Sequence, residues 1–109
     1  MPANDVQQTN AYLVKLGLRP LVARADLAVL ELRGGTHLVV LAAEEPVAAG
    51  TPAPFDLMVE DLDAAHRAYA ALGLAPSPIE RGEIHNSFEL VEPGGQTITV
   101  NSSHVVGVV

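Results

Sequence analysis

The stretch that decides the fold runs Phe55-Asp56-Leu57-Met58-Val59-Glu60-Asp61-Leu62-Asp63-Ala64-Ala65-His66-Arg67-Ala68-Tyr69-Ala70-Ala71-Leu72-Gly73-Leu74. Phe55, Leu57 and Val59 alternate with Asp56, Met58 and Glu60, the period of a strand with one face in a core. Asp61 or Asp63 can then cap a helix and set negative charge at its positive end. Leu62, Ala65, Tyr69 and Leu72 follow at spacings of three and four, the stripe of an amphipathic helix. Gly73 stands where a left-handed helix stop belongs. His66 falls on the side of this helix assigned to solvent.

The same phrase occurs earlier in the chain. At one constant offset, Asp5 matches Asp61, Val6 matches Leu62, Leu16-Gly17-Leu18 matches Leu72-Gly73-Leu74, and Pro20 matches Pro76. After small insertions, Glu31-Leu32 lies over Glu89-Leu90, and residues 35–40 lie over residues 95–100. Helix stops, prolines and hairpin glycines all fall in register, so the chain reads as a tandem duplication.

Taken in order, residues 5–16 form a helix, 21–23 a short strand and 27–32 a second strand. Gly34-Gly35 makes a tight hairpin into a strand over 36–41. Residues 44–54, with Pro46, Gly50, Pro52 and Pro54, are the linker-like segment. Beyond the second helix, 76–80 is a short strand, Arg81-Gly82 a turn, 84–91 a longer strand and 96–101 the last clear strand. Repeat one thus spans 5–43, repeat two 55–101, and a tail covers 102–109 within one domain.

Composition bounds the function. The 49% of hydrophobic residues excludes a disordered chain, and 109 residues suffice for one core that dimerisation would reinforce. No apolar run is long enough for a membrane span, and the first residues carry no basic-then-apolar leader. A net charge of −7, with Lys15, Arg19, Arg24, Arg33, Arg67 and Arg81 scattered, argues against nucleic-acid binding. The absence of cysteine removes disulfides, thiol nucleophiles and thiolate metal sites, and is compatible with a cytoplasmic location.

The second repeat resembles the vicinal oxygen chelate superfamily: glyoxalase I, bleomycin-resistance proteins and extradiol dioxygenases. The resemblance rests on residues 55–65, on Leu72-Gly73-Leu74, and on Pro93-Gly94-Gly95-Gln96-Thr97-Ile98-Thr99-Val100. It implies an α+β fold of tandem βαβββ repeats, a cupped mixed sheet with helices outside. Only Met1 to Asn4 precede the first helix, so the first strand of repeat one is expected to be missing. An open edge left there would be covered by a second chain or by the tail.

Enzymes of this superfamily hold a divalent metal with His and Glu from the first and last strand of each repeat. By this resemblance the corresponding positions here are Pro54, Val39 and Thr99. None is a competent ligand for such a cation. The resemblance therefore implies a bacterial, resistance-protein-like homodimer that binds a small polar molecule without a cofactor. The alternative is a metal-dependent lyase, isomerase or dioxygenase with relocated ligands.

Strand parity supplies candidate ligand-binding residues: His37, Asp56, Met58, His85, Ser87, Glu89, Thr97, Thr99, Asn101 and His104, with Val39 and Leu41 beside His37 and Glu31 as the counterpart of Glu89. These residues predict a polar, mildly acidic cup. A His85–His104 metal pair, with Asp56 or Glu89, belongs to the alternative. No catalytic residue is assigned, since no Ser-His-Asp set, acid/base carboxylate pair or phosphate loop occurs.

Overall fold

The computed structural model describes residues 1–32, 35–83 and 85–102. The elements run β1 (Pro2–Ala3), α1 (Val6–Lys15), β2 (Arg19–Ala23), β3 (Leu27–Glu31), β4 (His37–Ala42), β5 (Pro52–Val59), α2 (Leu62–Ala71), β6 (Glu80–Arg81), β7 (Asn86–Val91) and β8 (Thr97–Ser102). They form two four-stranded mixed sheets of identical order, β1-β4-β3-β2 and β5-β8-β7-β6. Each opening strand pairs parallel to the last strand of its own repeat, and the remaining pairs are antiparallel.

The chain divides into two compact units. The first is Met1–Thr51 together with the turn Glu92–Gln96, and the second is Pro52–Val91 with the strand that begins at Thr97.

In the first unit, Asp5 caps α1 by accepting the Gln8 N–H at 3.1 Å, satisfying one of the amides that a helix start leaves unpaired. Val6, Tyr12, Leu13 and Leu16 form the buried stripe of this helix. Below it lie Ala28 and Leu30 of β3, Leu38 and Val40 of β4, and Ala3 of β1, all buried. The expected loss of the first strand is corrected by β1. Two residues suffice because the Met1 nitrogen donates to Val39 O, Leu41 N–H to Met1 O and Ala43 N–H to Ala3 O. Ala3, 1% exposed, plugs the core before Asp5 turns the chain into the helix.

In the second unit, Asp61 rather than Asp63 is the cap, accepting the Ala64 N–H at 3.0 Å. Leu62 and Tyr69 of α2 are buried over Leu57, Phe88, Leu90, Ile98 and Val100. Gly73 takes φ +77 and closes the helix as its position predicted. Leu72 does not join the stripe: it is 55% exposed. The space over the sheet is taken by Phe88 and by His66, whose ring meets Phe88 edge-on at 5.0 Å. His66 is therefore a packing residue and not a solvent-facing one, and its Nε2 lies 2.8 Å from Ser77 O.

Other boundaries differ from the sequence reading. β5 starts at Pro52, inside the stretch read as linker, because Pro52 pairs with Thr97 before a register shift ahead of Asp56. Prolines are tolerated there at the sheet edge. The strand expected over 76–80 shrinks to Glu80–Arg81, with Arg81 in the strand rather than the turn. Pro76 and Pro78 lack the N–H groups that pairing needs. Gly34, part of the expected hairpin, lies outside the described residues, as does the tail from Ser103.

Hairpin register also corrects the repeat alignment. Glu31 pairs with His37 and Val91 pairs with Thr97, so Glu31 corresponds to Val91 and not to Glu89. The same register sets Ala28 in the place of Phe88 and Leu30 in the place of Leu90.

Candidate functional site

Each sheet has one face under its helix and one face free of it. The open face of the second sheet is built in rows by cross-strand pairing. Glu89, Thr99 and Asp56 form one row, since Thr99 of β8 pairs with Glu89 on one side and Asp56 on the other. Ser87, Asn101 and Met58 form the next row, with Glu80 beyond Ser87. Val91 and Thr97 stand at the hairpin end. The alternation Ile98 and Val100 inward, Thr97, Thr99 and Asn101 outward is what the sequence pattern predicted.

Neighbouring strands lie about 4.8 Å apart, so Asp56 and Glu89 straddle Thr99 at roughly 10 Å between their backbones. Both carboxylates are exposed, Thr99 is half-buried, and Met58 is 53% exposed at the end of its row. The face offers hydroxyl and amide groups at its centre and negative charge on its flanks. It attracts hydrogen-bond donors and cations, and does so more strongly at low salt.

His85 precedes β7 and sits half-buried at the end of this face, its Nδ1 3.1 Å from Ser102 O. Beside it, Asn86 N–H donates to Ser102 Oγ at 3.0 Å. The His85 ring is thereby tied to the end of β8. His104, proposed as its metal-binding partner, lies outside the described residues.

The first sheet presents a different face. Its rows are Val22–Val29–Val39 and Leu27–Leu41–Pro2, with Arg19–Glu31–His37 at one end. Val39 is 41% and Leu41 51% exposed. Glu31 lies 3.5 Å from the Arg19 guanidinium and 3.6 Å from His37 Nε2. The open face is thus polar on the second sheet and mostly aliphatic on the first. The strand pattern places the outward residues of β3 and β4 on that face but does not make them polar.

The donor set does not fit the superfamily's metal. Val39 and Thr99 stand at equivalent places on β4 and β8, and Pro54 is exposed on β5. A valine and a proline supply no donor atom, and a lone hydroxyl is a weak ligand. Among the described residues no group of three or more His, Asp or Glu side chains converges as a metal site would require.

Sequence reading missed the most buried polar cluster among the described residues. Glu92, 1% exposed, accepts hydrogen bonds from Thr9 Oγ1 at 2.9 Å, Gly94 N–H at 2.9 Å and Gln96 N–H at 3.1 Å. The Pro-Gly-Gly turn announced a hairpin, but no local pattern announces a buried carboxylate whose partner Thr9 lies far away in sequence.

No protein-family model and no curated protein matches the chain. Solved structures do. The lactoylglutathione lyase of Agrobacterium tumefaciens superposes with a TM-score of 0.77 at 19% identity, over 98% of this chain and 92% of that one. An antibiotic-binding protein from Streptomyces gives 0.77 at 18% identity, over 94% and 89%. A glyoxalase/bleomycin resistance protein/dioxygenase from Alicyclobacillus acidocaldarius gives 0.72 at 21% identity, over 94% and 86%. The chain has the fold of the vicinal oxygen chelate superfamily. At these identities the likeness is one of fold, and lyase and antibiotic binder share it equally.

Proposed function

We propose that this chain is a metal-independent small-molecule-binding protein, comparable in role to the antibiotic-binding relative, with its ligand held on the open face of the second sheet. The observation that carries this reading is the row Glu89–Thr99–Asp56. Its centre is a hydroxyl, a weak metal ligand, and its flanks are exposed carboxylates that, among the described residues, join no group of three or more metal-binding side chains. Thr97, Ser87 and Asn101 extend the hydrogen-bonding surface, Met58 adds a polarisable apolar contact, and His85 closes one end. The ligand is a small polar molecule that carries hydrogen-bond donors or positive charge. His37 lies on the first sheet, where its Nε2 is 3.6 Å from Glu31. The protein works as a cytoplasmic homodimer.

Metal content of the purified, untagged protein after dialysis, measured with its solution mass, tests this directly. Less than a tenth of an equivalent of metal in a dimer supports the reading. Near-stoichiometric zinc, nickel, manganese or iron overturns it in favour of a metal-dependent lyase, isomerase or dioxygenase. His37, His85 and His104 would then be the first ligands to replace. A thermal-shift screen of small polar and cationic compounds follows, since a ligand at 100 times its Kd raises stability by about 2.7 kcal/mol.

A further inference from the structure

The turn Glu92–Gln96 connects two strands of the second unit yet packs within the first. Four contacts from the rest of the first unit hold it. Thr9 Oγ1 donates to Glu92 Oε2, Gly50 N–H donates to Gly95 O at 2.8 Å, Asn4 Nδ2 reaches Gly94 O at 3.4 Å, and Gln96 Nε2 donates to Pro2 O at 2.7 Å. Gly95 is held at φ +94, and a Cβ there would come within 2.9 Å of the Ala49 backbone, so the approach admits no side chain.

The counterpart turn of the first repeat has the same frame and, among its described residues, none of this chemistry. Gly35 N–H donates to Leu32 O and Leu32 N–H to Thr36 O, as Gly95 N–H does to Glu92 O and Glu92 N–H to Gln96 O. Where the first turn carries Leu32 and Thr36, the second carries a buried carboxylate and a buried amide. A buried carboxylate is costly without partners, and Glu92 has three donors.

We propose that this turn is a built-in clamp that makes the two units unfold as one. β7 and β8 are covalently bound to a turn that the core of the first unit holds. The second sheet therefore cannot lose its hairpin end without breaking the Glu92 cluster, and the first unit cannot open without releasing it. The clamp also fixes the end of the open face at Val91 and Thr97, the pair that flanks the turn.

Tyrosine fluorescence reads the two units separately, because the chain has no tryptophan, Tyr12 lies in α1 and Tyr69 in α2. Urea unfolding is followed in Tyr69→Phe, which reports the first unit, and in Tyr12→Phe, which reports the second. Each is made in the natural chain and in a Thr9→Val/Gln96→Met background that removes two of the contacts. The proposal requires coincident midpoints in the natural chain and separation by at least 0.5 M in the double variant. Separate midpoints in the natural chain, or coincident midpoints in the double variant, overturn it.

Should the double variant not fold, native-state hydrogen exchange of the unaltered protein decides. The Gly94 and Gln96 amides must exchange as slowly as those of Val40 and Val100. Exchange of the turn amides at least 100-fold faster contradicts a clamp.

Discussion

The two sheets share strand order, register and hairpin loop length, and differ in where they carry bulk and in what they show on the open side. In the first unit the sheet contributes Ala28 and the helix contributes Tyr12, Leu13 and Leu16. In the second the sheet contributes Phe88, while the helix places Ala68 opposite Tyr12 in the repeat and leaves Leu72 outside. Volume moved from helix to sheet between the copies, which a close-packed interior requires when one side changes. On the open side, Val29, Val39 and Leu41 of the first sheet stand where the second has Glu89, Thr99 and Asn101. The face under the helix is bound by packing and keeps its apolar character. The open face is not so bound, and is mostly aliphatic on the first sheet and polar on the second.

The largest test of this exchange is Phe88→Ala, which removes the largest fully buried side chain of the described residues. It is expected to cost about 3–5 kcal/mol in denaturant unfolding, and Leu13→Ala about 2–5 kcal/mol. A cost below about 1 kcal/mol at Phe88 would break the assignment of the second unit's bulk to its sheet.

Next come the two leucines that the repeat equates. Leu16 is 7% exposed and Leu72 55%. Leu16→Ala is expected to lower stability by about 2–3 kcal/mol and Leu72→Ala by no more than about 0.5 kcal/mol. Equal losses would restore the symmetry that the packing denies.

The caps, by contrast, were retained in both copies. Asp5→Ala and Asp61→Ala should each cost about 1 kcal/mol by thermal unfolding. A difference greater than about 1 kcal/mol between them would show that the helix starts are not equivalent.

The smallest effect belongs to a pair confined to the second unit, Arg81 and Asp63, 2.8 Å apart. The hydrogen bond from Arg81 holds the Asp63 carboxyl below its ordinary value of 3.8. A depressed carboxylate contributes stability above that value and loses it as pH falls through the lower, folded one. Arg81→Ala should therefore narrow the gap between stability at pH 6 and at pH 2.5, and raised salt should mimic it, since the pair is exposed. No narrowing would mean the contact contributes nothing.

Much of this was legible in the sequence. Strict alternation in β5 and β8 announced both the core residues and the outward row of Thr97, Thr99 and Asn101, because the period of a strand fixes which side chains share a face. Asp5, Asp61 and Gly73 announced the helix ends through local hydrogen bonding and backbone freedom. What stayed hidden depends on partners far away in sequence. β1 is set by β4, which pairs with Pro2 and Ala3, and no periodicity exists in two residues. No local pattern marks Glu92 as buried, because its partner Thr9 lies far away in sequence. His66 reads as a surface residue until Phe88, larger than its counterpart Ala28, rises to meet it.

On the proposed reading the polar open face of the second sheet binds a small molecule without metal. That is tested most directly by thermal shift of the natural chain and of Thr99→Val with polar and cationic compounds, in excess chelator. The expected result is a compound that raises Tm in chelator and whose affinity falls at least tenfold in Thr99→Val, with the unliganded Tm unchanged within 2 °C. A compound that acts only when a divalent cation is restored, or binds Thr99→Val equally well, would contradict it.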